Sequence, residues 1–237
     1  MKASAGTFMS AESEEREGLT YADRSLRGYI EAGVLPGLQV IVDSAVVDAW
    51  NEDSAGVKYR QRGYGDLGVG LRYRLATEPL AISAGVDVRT PLYSDTDEVA
   101  GYDDLSAMEK VSVPDLGDGT TDVTGRLEAG LSLWPSPAWV SGFVAYRHRS
   151  QAFLDVAVLG VDAGWYVVPE LLGLSAGAEV LRALGDDEIT QSWLSTRGGS
   201  FLDIGAGVSV EALASWMPLT TNSEAGFGVM LGVSWKR

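Results

Sequence analysis

The sequence contains no cysteine and a single histidine, His148. Disulfide staples, thiolate zinc sites and cysteine nucleophiles are therefore excluded together. Any histidine metal site or Ser-His arrangement would have to be built around that one residue, which sits in an Arg147-His148-Arg149 setting at a strand end. A loop-edge role is expected for it, with no catalytic site, no metal site and no cofactor. Long apolar runs are also missing: nothing approaches 18 uninterrupted residues, so no transmembrane helix is expected. Bases are scarce against acids, 18 to 33, for a formal charge of −15. Nucleic acid is an unsuitable partner, because phosphate binding needs clustered Lys and Arg. What remains abundant is apolar residues, 46 %, and glycine, 29 in 237. That composition is too hydrophobic for disorder. It suits a soluble β or α/β domain, or a membrane β-barrel. The start, Met1 to Phe8, has one base and no apolar run behind it, so it does not read as a secretory signal peptide.

Alternation with period two supplies the positive evidence. Leu67, Val69, Leu71, Tyr73 and Leu75 are separated by Gly68, Gly70, Arg72 and Arg74, the pattern of a strand with two unlike faces. Leu80, Ile82, Ala84, Val86 and Val88 repeat it against Ser83, Asp87 and Arg89. Residues 121–133, 201–212 and 227–235 do the same. Residues 25–34, 38–50, 138–149, 153–168 and 171–184 are compatible but less regular, and Phe143 sits on the wrong side of its strand.

Connections alternate as well. Short links carry proline at Pro36, Pro79, Pro135, Pro137 and Pro169, where no ladder can continue. Longer polar links lie between them, at about Asn51 to Gly63, Pro91 to Thr120 and Gly185 to Ser200, with a brief one at Ser150-Gln151-Ala152. A transmembrane barrel has this form, with short periplasmic turns and longer extracellular loops. Aromatics fall at strand ends: Tyr73, Trp134, Trp139, Trp165 and Trp235 near short turns, Trp50, Tyr64, Tyr146 and Trp216 near long loops. They predict two interfacial girdles.

Ten strands are read directly. Antiparallel order then demands an ascending strand before residue 25, for which 2–10 is the candidate. The stretch 200–217 is too long for one crossing of about 9–11 residues. Splitting it near Val210-Glu211 gives an all-β antiparallel barrel of twelve strands, with ten as the fallback, over one domain spanning 1–237.

The polar faces carry Arg27, Glu31, Arg72, Arg74, Asp87, Arg89, Arg126, Glu128, Arg147, Asp162, Glu179 and Asp203, predicted to line the lumen. Such charges either fill a narrow interior with ion pairs or line a pore. Arginine outnumbers lysine 14 to 4, which suits bidentate carboxylate pairing. Gly65, Gly68 and Gly70 lie inside a strand pattern with no helix behind them, so they make room or permit curvature and do not cradle phosphate. The link from 91 to 120 holds Asp95, Asp97, Glu98, Asp103, Asp104, Glu109, Asp115 and Asp118, expected as a solvated loop. A Ca²⁺ site there lacks EF-hand spacing.

Residues Gly63 to Leu75, Ser83 to Val86 and Arg89-Thr90-Pro91 resemble the outer-membrane barrels of the meta-pathway phenol-degradation, transporter-like family. Further matches in order are Tyr29 to Val34, Gly117 to Val123, Tyr146 to Arg149 and Gly228 to Trp235. The resemblance implies a Gram-negative outer-membrane barrel passing hydrophobic or aromatic compounds. Its partners would be the bilayer with its lipopolysaccharide, the barrel-assembly machinery and a small hydrophobic solute. It implies no defined catalytic site. A soluble β-barrel binding a hydrophobic ligand, or a plugged structural barrel, stays open as an alternative. The soluble form would bury Leu71 and Leu127 and expose Arg72 and Arg126; the membrane form reverses this.

Overall fold

In a computed structural model the chain closes into an antiparallel barrel of twelve strands. The structure describes residues 2–10 as backbone, together with residues 19–93, 113–114, 116–117, 119–150, 153–185, 190–221 and 225–235. The acidic segment considered for Ca²⁺ lies almost wholly outside the described residues. The strands are β1 (Lys2–Ser10), β2 (Leu19–Leu35), β3 (Leu38–Asp53), β4 (Lys58–Ala76), β5 (Ala81–Pro91) and β6 (Asp122–Ser132), then β7 (Ala138–Arg149), β8 (Val156–Val168), β9 (Leu172–Ala183), β10 (Ser192–Gly205), β11 (Val208–Thr221) and β12 (Gly226–Trp235). Each pairs with its neighbour in sequence, and β1 seals the sheet against β12 from Lys2↔Ser234 to Ser10↔Gly226. Closure leaves no edge, which is what a sheet in hydrocarbon needs, since unpaired N–H and C=O groups find no water there.

The links β2–β3, β4–β5, β6–β7, β8–β9 and β10–β11 lie at one end of the barrel, where Lys2 and Trp235 also lie, and none exceeds five residues; those at the other end range from residues 54–57 to residues 92–121. The three longest strands run well past the length of one bilayer crossing: β2, β3 and β4 have 17, 16 and 19 residues. The expected loop at Asn51–Gly63 is corrected by this. Only residues 54–57 connect β3 to β4. Above the lipid both faces of a strand can be polar, so the period-two signal fades where the strand does not.

The turn between β10 and β11 is also corrected. It lies at Ala206-Gly207, not at Val210-Glu211, and Gly205, Ala206 and Gly207 have φ of 89°, 52° and 75°. Glycine on both sides makes that left-handed path accessible. Leu202 pairs with Val210 and Asp203 with Ser209. Partners of equal parity share a face, so the alternation passes through the turn without a break of phase. That is why the sequence pattern conceals it.

The barrel is apolar outside. Leu71 and Leu127 are 47 % and 46 % exposed, whereas the Arg72 side chain is 28 % exposed. The exposed large side chains include Ile30, Val69, Val86, Val144, Leu159, Leu174, Val229 and Leu231 around the circumference. This is the reverse of a soluble β core, whose apolar residues would be withdrawn from the surface.

Candidate functional site

Inward-facing residues follow from the register. Tyr29, Asp43, Gly68 and Arg89 share one row across β2, β3, β4 and β5. The lumen divides into two halves of different chemistry.

The half walled by β2 to β7 is ionic. Arg72 reaches Glu31 and Glu128, each at 3.5 Å. Arg126 Nε lies 2.5 Å from Glu128, and its guanidinium stands 3.5 Å above the Phe143 ring centroid. Arg89 donates to Asp43 at 3.1 Å. Asp87 faces Arg89 and Arg147. Arg147 and Arg149 approach Asp122 at 3.9 and 3.5 Å, and Arg149 covers Phe153 at 4.5 Å. Tyr29 donates to Glu31 at 2.6 Å. Most cations here have a carboxylate neighbour and the reverse, which is the condition for keeping charge in a partly desolvated interior.

The other half opens into a cavity of about 650 Å³ between β2 and β7 to β12. Trp139, Phe201, Leu213 and Met230 supply apolar wall, and Asp23, Arg27, Asp162, Arg197 and Glu211 supply charge. Arg197 forks onto Asp162 at 2.9 and 2.6 Å and lies 3.8 Å from Glu179. Near the short-turn end Tyr166 donates to Asp203 at 3.0 Å, Ser209 also donates to Asp203, and the Tyr166 and Phe201 rings meet edge to face at 5.2 Å.

Glycines set how far these side chains reach inward. Trp139, Phe143 and Phe201 are direct cross-strand partners of Gly164, Gly160 and Gly173. A Cβ at any of those glycines would overlap the aromatic ring beside it. Each ring therefore lies along the wall over a glycine and not out toward the axis. Asp162 over Gly177 and Glu211 over Gly232 repeat the arrangement with carboxylates. The wall is smoothed in this way, and width is kept despite large residues.

The twelve sequence-derived lumen positions are placed as follows. Arg27 and Asp162 line the cavity, and Glu179 stands beside it through Arg197. Glu31, Arg72, Asp87, Arg89, Arg126, Glu128 and Arg147 form the ionic half. Asp203 holds the floor at the short-turn end. Arg74, opposite Ser83, stands exposed at the short-turn mouth. Of the girdle, Tyr73, Trp134, Trp165 and Trp235 are exposed on the outer side, and Trp50 lies between Arg24 and Lys58, each 5.4 Å away. Trp139 is a correction. It faces inward, because Gly164 on β8 leaves a recess that the indole occupies. Phe143 faces inward for the same reason, 8 % exposed and packed with Val156, Val158 and Leu181. Arg197, Asp43, Asp122 and Glu211 were missed. Arg197 lies in the stretch 185–200 expected as a loop, Asp43 follows Val40-Ile41-Val42 where both faces are apolar, Glu211 stands at the turn expected near Val210-Glu211, and Asp122 is at the edge of its expected strand, where alternation has barely begun.

At the long-loop end Asp155 accepts from the Arg149 backbone N–H at 3.0 Å and from Tyr146, with His148 Nδ1 2.9 Å away. The Tyr146 hydroxyl, followed by that backbone N–H, holds the Asp155 carboxyl below its ordinary pKa.

A closed antiparallel barrel with an apolar exterior and a charged lumen has the architecture of an outer-membrane β-barrel. Solved structures agree on the fold. An outer membrane channel from Pseudomonas putida F1 matches with a TM-score of 0.63 and 14 % identity, over 98 % of this chain and 94 % of that one. The KdgM porin matches at 0.58 and 8 %, over 100 % and 99 %, and the translocator domain of the autotransporter NalP from Neisseria meningitidis at 0.55 and 13 %, over 100 % and 88 %. No family profile and no curated protein matches the sequence. The expectation that the chain is not an enzyme is overturned as an exclusion. Barrels of this architecture include enzymes beside channels, LpxR from Salmonella typhimurium among the matches at a TM-score of 0.53 and 11 % identity. The fold is common to both.

Proposed function

We propose that residues 1–237 form one outer-membrane barrel that acts as a passive channel for small apolar or aromatic compounds, in keeping with the resemblance to the phenol-degradation family of transporters. The observation that carries this reading is the cavity of about 650 Å³ inside the sheet, with Trp139, Phe201, Leu213 and Met230 on its wall. An aromatic solute meets flat rings there, and the charged groups beside them keep the path hydrated. The bilayer is the partner of the exposed apolar exterior, and the barrel-assembly machinery would insert it. The ionic half of the lumen narrows the path: Arg72 ties β4 to β2 and β6.

Reconstituted full-length chain is expected to give single-channel steps in planar bilayers and to admit phenyl glucoside into liposomes faster than sucrose. Trp139→Ala is expected to lower the phenyl glucoside rate more than the small-ion conductance. Sealed bilayers, with both solutes excluded, would overturn the channel and leave a plugged barrel, which the Arg72 bridge then explains.

A further inference from the structure

The outer wall changes character in a single row. Leu26, Val46 and Tyr64 lie side by side on β2, β3 and β4; the next outward row toward the long loops is Arg24, Asp48 and Arg62. Above that come Ala22, Trp50 and Arg60, then Thr20, Glu52 and Lys58. Counted from Leu38 at the short turn, Asp48 is ten residues up β3. At about 3.3 Å per residue and a tilt of about 40°, that is roughly 25 Å along the membrane normal, the height of the apolar band in this class of barrel. The charged rows therefore begin where hydrocarbon ends.

Four cations, Arg24, Lys58, Arg60 and Arg62, gather here around Trp50 with two carboxylates, Asp48 and Glu52. The patch is net positive on a chain whose formal charge is −15. Asp48 is the organiser. Its side chain is 15 % exposed and accepts from both Arg60 and Arg62, which are themselves 53 % and 65 % exposed. One carboxylate thus holds two guanidiniums in place while leaving most of their donors turned outward. A guanidinium has five N–H donors in a fixed fork that matches phosphate oxygens. Trp50 supplies a ring at headgroup depth, where amphipathic aromatics reside.

We propose that this patch on β2 to β4 binds the phosphate of a phosphorylated glycolipid in the outer leaflet, a headgroup of the lipid A type. The proposal rests on the outer-membrane reading above, with the long-loop end outside. Arg60 and Arg62 grip the phosphate, Arg24 and Lys58 flank it, and the acyl chains run down the apolar rows below.

The test uses full-length chain refolded into phosphatidylcholine vesicles, with and without diphosphoryl lipid A, and with lipid A stripped of phosphate. Lipid retention is read by native mass spectrometry after extraction into mild detergent. Retention of diphosphoryl lipid A over the stripped form is expected. Each basic side chain at an anionic surface contributes roughly a fivefold factor, so Arg60→Gln with Arg62→Gln should weaken retention about thirtyfold. Arg60→Lys with Arg62→Lys should keep part of it, and Arg182→Gln, distant on β9, should change nothing. Heat-modifiable gel mobility reports whether each variant is a folded barrel. Equal retention of both lipids, or folded Gln variants that retain lipid A like the parent, would overturn the site alone. Failure of the parent chain to insert into pure phosphatidylcholine vesicles would overturn the membrane reading itself, and the site with it. Free inorganic phosphate at millimolar level should not displace the lipid; displacement would reassign the patch to soluble anions.

Discussion

Val69→Arg probes where the lipid begins. Val69 is 46 % exposed on the outer face of β4, between Val42 of β3 and Val88 of β5. It is four residues from Tyr73 in the short-turn girdle; at a rise of about 3.4 Å and a tilt of about 40° this sets it roughly 10 Å along the normal from that ring. With an apolar band about 25 Å tall, the residue is near the midplane, where a lipid-facing arginine costs about 2–4 kcal/mol. Leu71→Arg, nearer Tyr73, should cost less, and Leu75→Arg, beyond the girdle, only about 0–1 kcal/mol. Equilibrium urea unfolding of the full chain in phosphatidylcholine vesicles, followed by tryptophan fluorescence, measures all three. A depth profile that is flat, or Val69→Arg as harmless as Leu75→Arg, would refute the assignment of the outer face to lipid. A water-soluble barrel predicts that flat profile, because a guanidinium on a wet surface pays no desolvation.

Gly164→Leu should displace Trp139 from its recess and push the indole toward the axis, lowering single-channel conductance with the barrel still folded by gel mobility; unchanged conductance would show that the recess does not set the width. Arg72→Ala leaves Glu31 and Glu128 facing each other without their shared cation, so reversal potentials in a KCl gradient should shift toward cation selectivity; a shift toward anions would contradict the placement of Arg72 in the path. The Asp155 knot is pH-dependent with a definite sign. A carboxyl held below its ordinary value in the folded chain contributes stability that is present above the unfolded value and lost as pH falls through the folded one. Hydrogen exchange around residues 146–156 should therefore be constant from pH 8 to 5 and accelerate, beyond its intrinsic pH dependence, only below about pH 4. Asp155→Asn should abolish that acid step, and a variant that keeps it would refute the assignment to Asp155.

How much of this was legible depends on where water and lipid meet each strand. Between Tyr73 and Leu67 one face is greasy and the other polar, and alternation alone orients Arg72 inward. The same logic places Glu128, Arg126, Asp87 and Asp162. It fails above the membrane, where Arg60 and Arg62 share β4 with Tyr59 and Gln61 and no contrast of faces remains. It fails again at Ala206-Gly207, since a hairpin whose partners have equal parity carries the pattern through unchanged.

Alternation, the spacing of prolines and the absence of any long apolar segment determined the class of fold and the polar face of the regular strands, because period-two patterning is a local property of extended chain; the count of twelve needed antiparallel order and the length of one crossing as well. Tertiary structure alone decided which inward charges meet, for Arg72 with Glu31 and Glu128, and Arg197 with Asp162 and Glu179, come together only through the register of neighbouring strands. It also decided the recesses for Trp139 and Phe143. A glycine has no pattern of its own to announce which ring lies across it, and that depends on the register between two strands, which is set by the whole barrel.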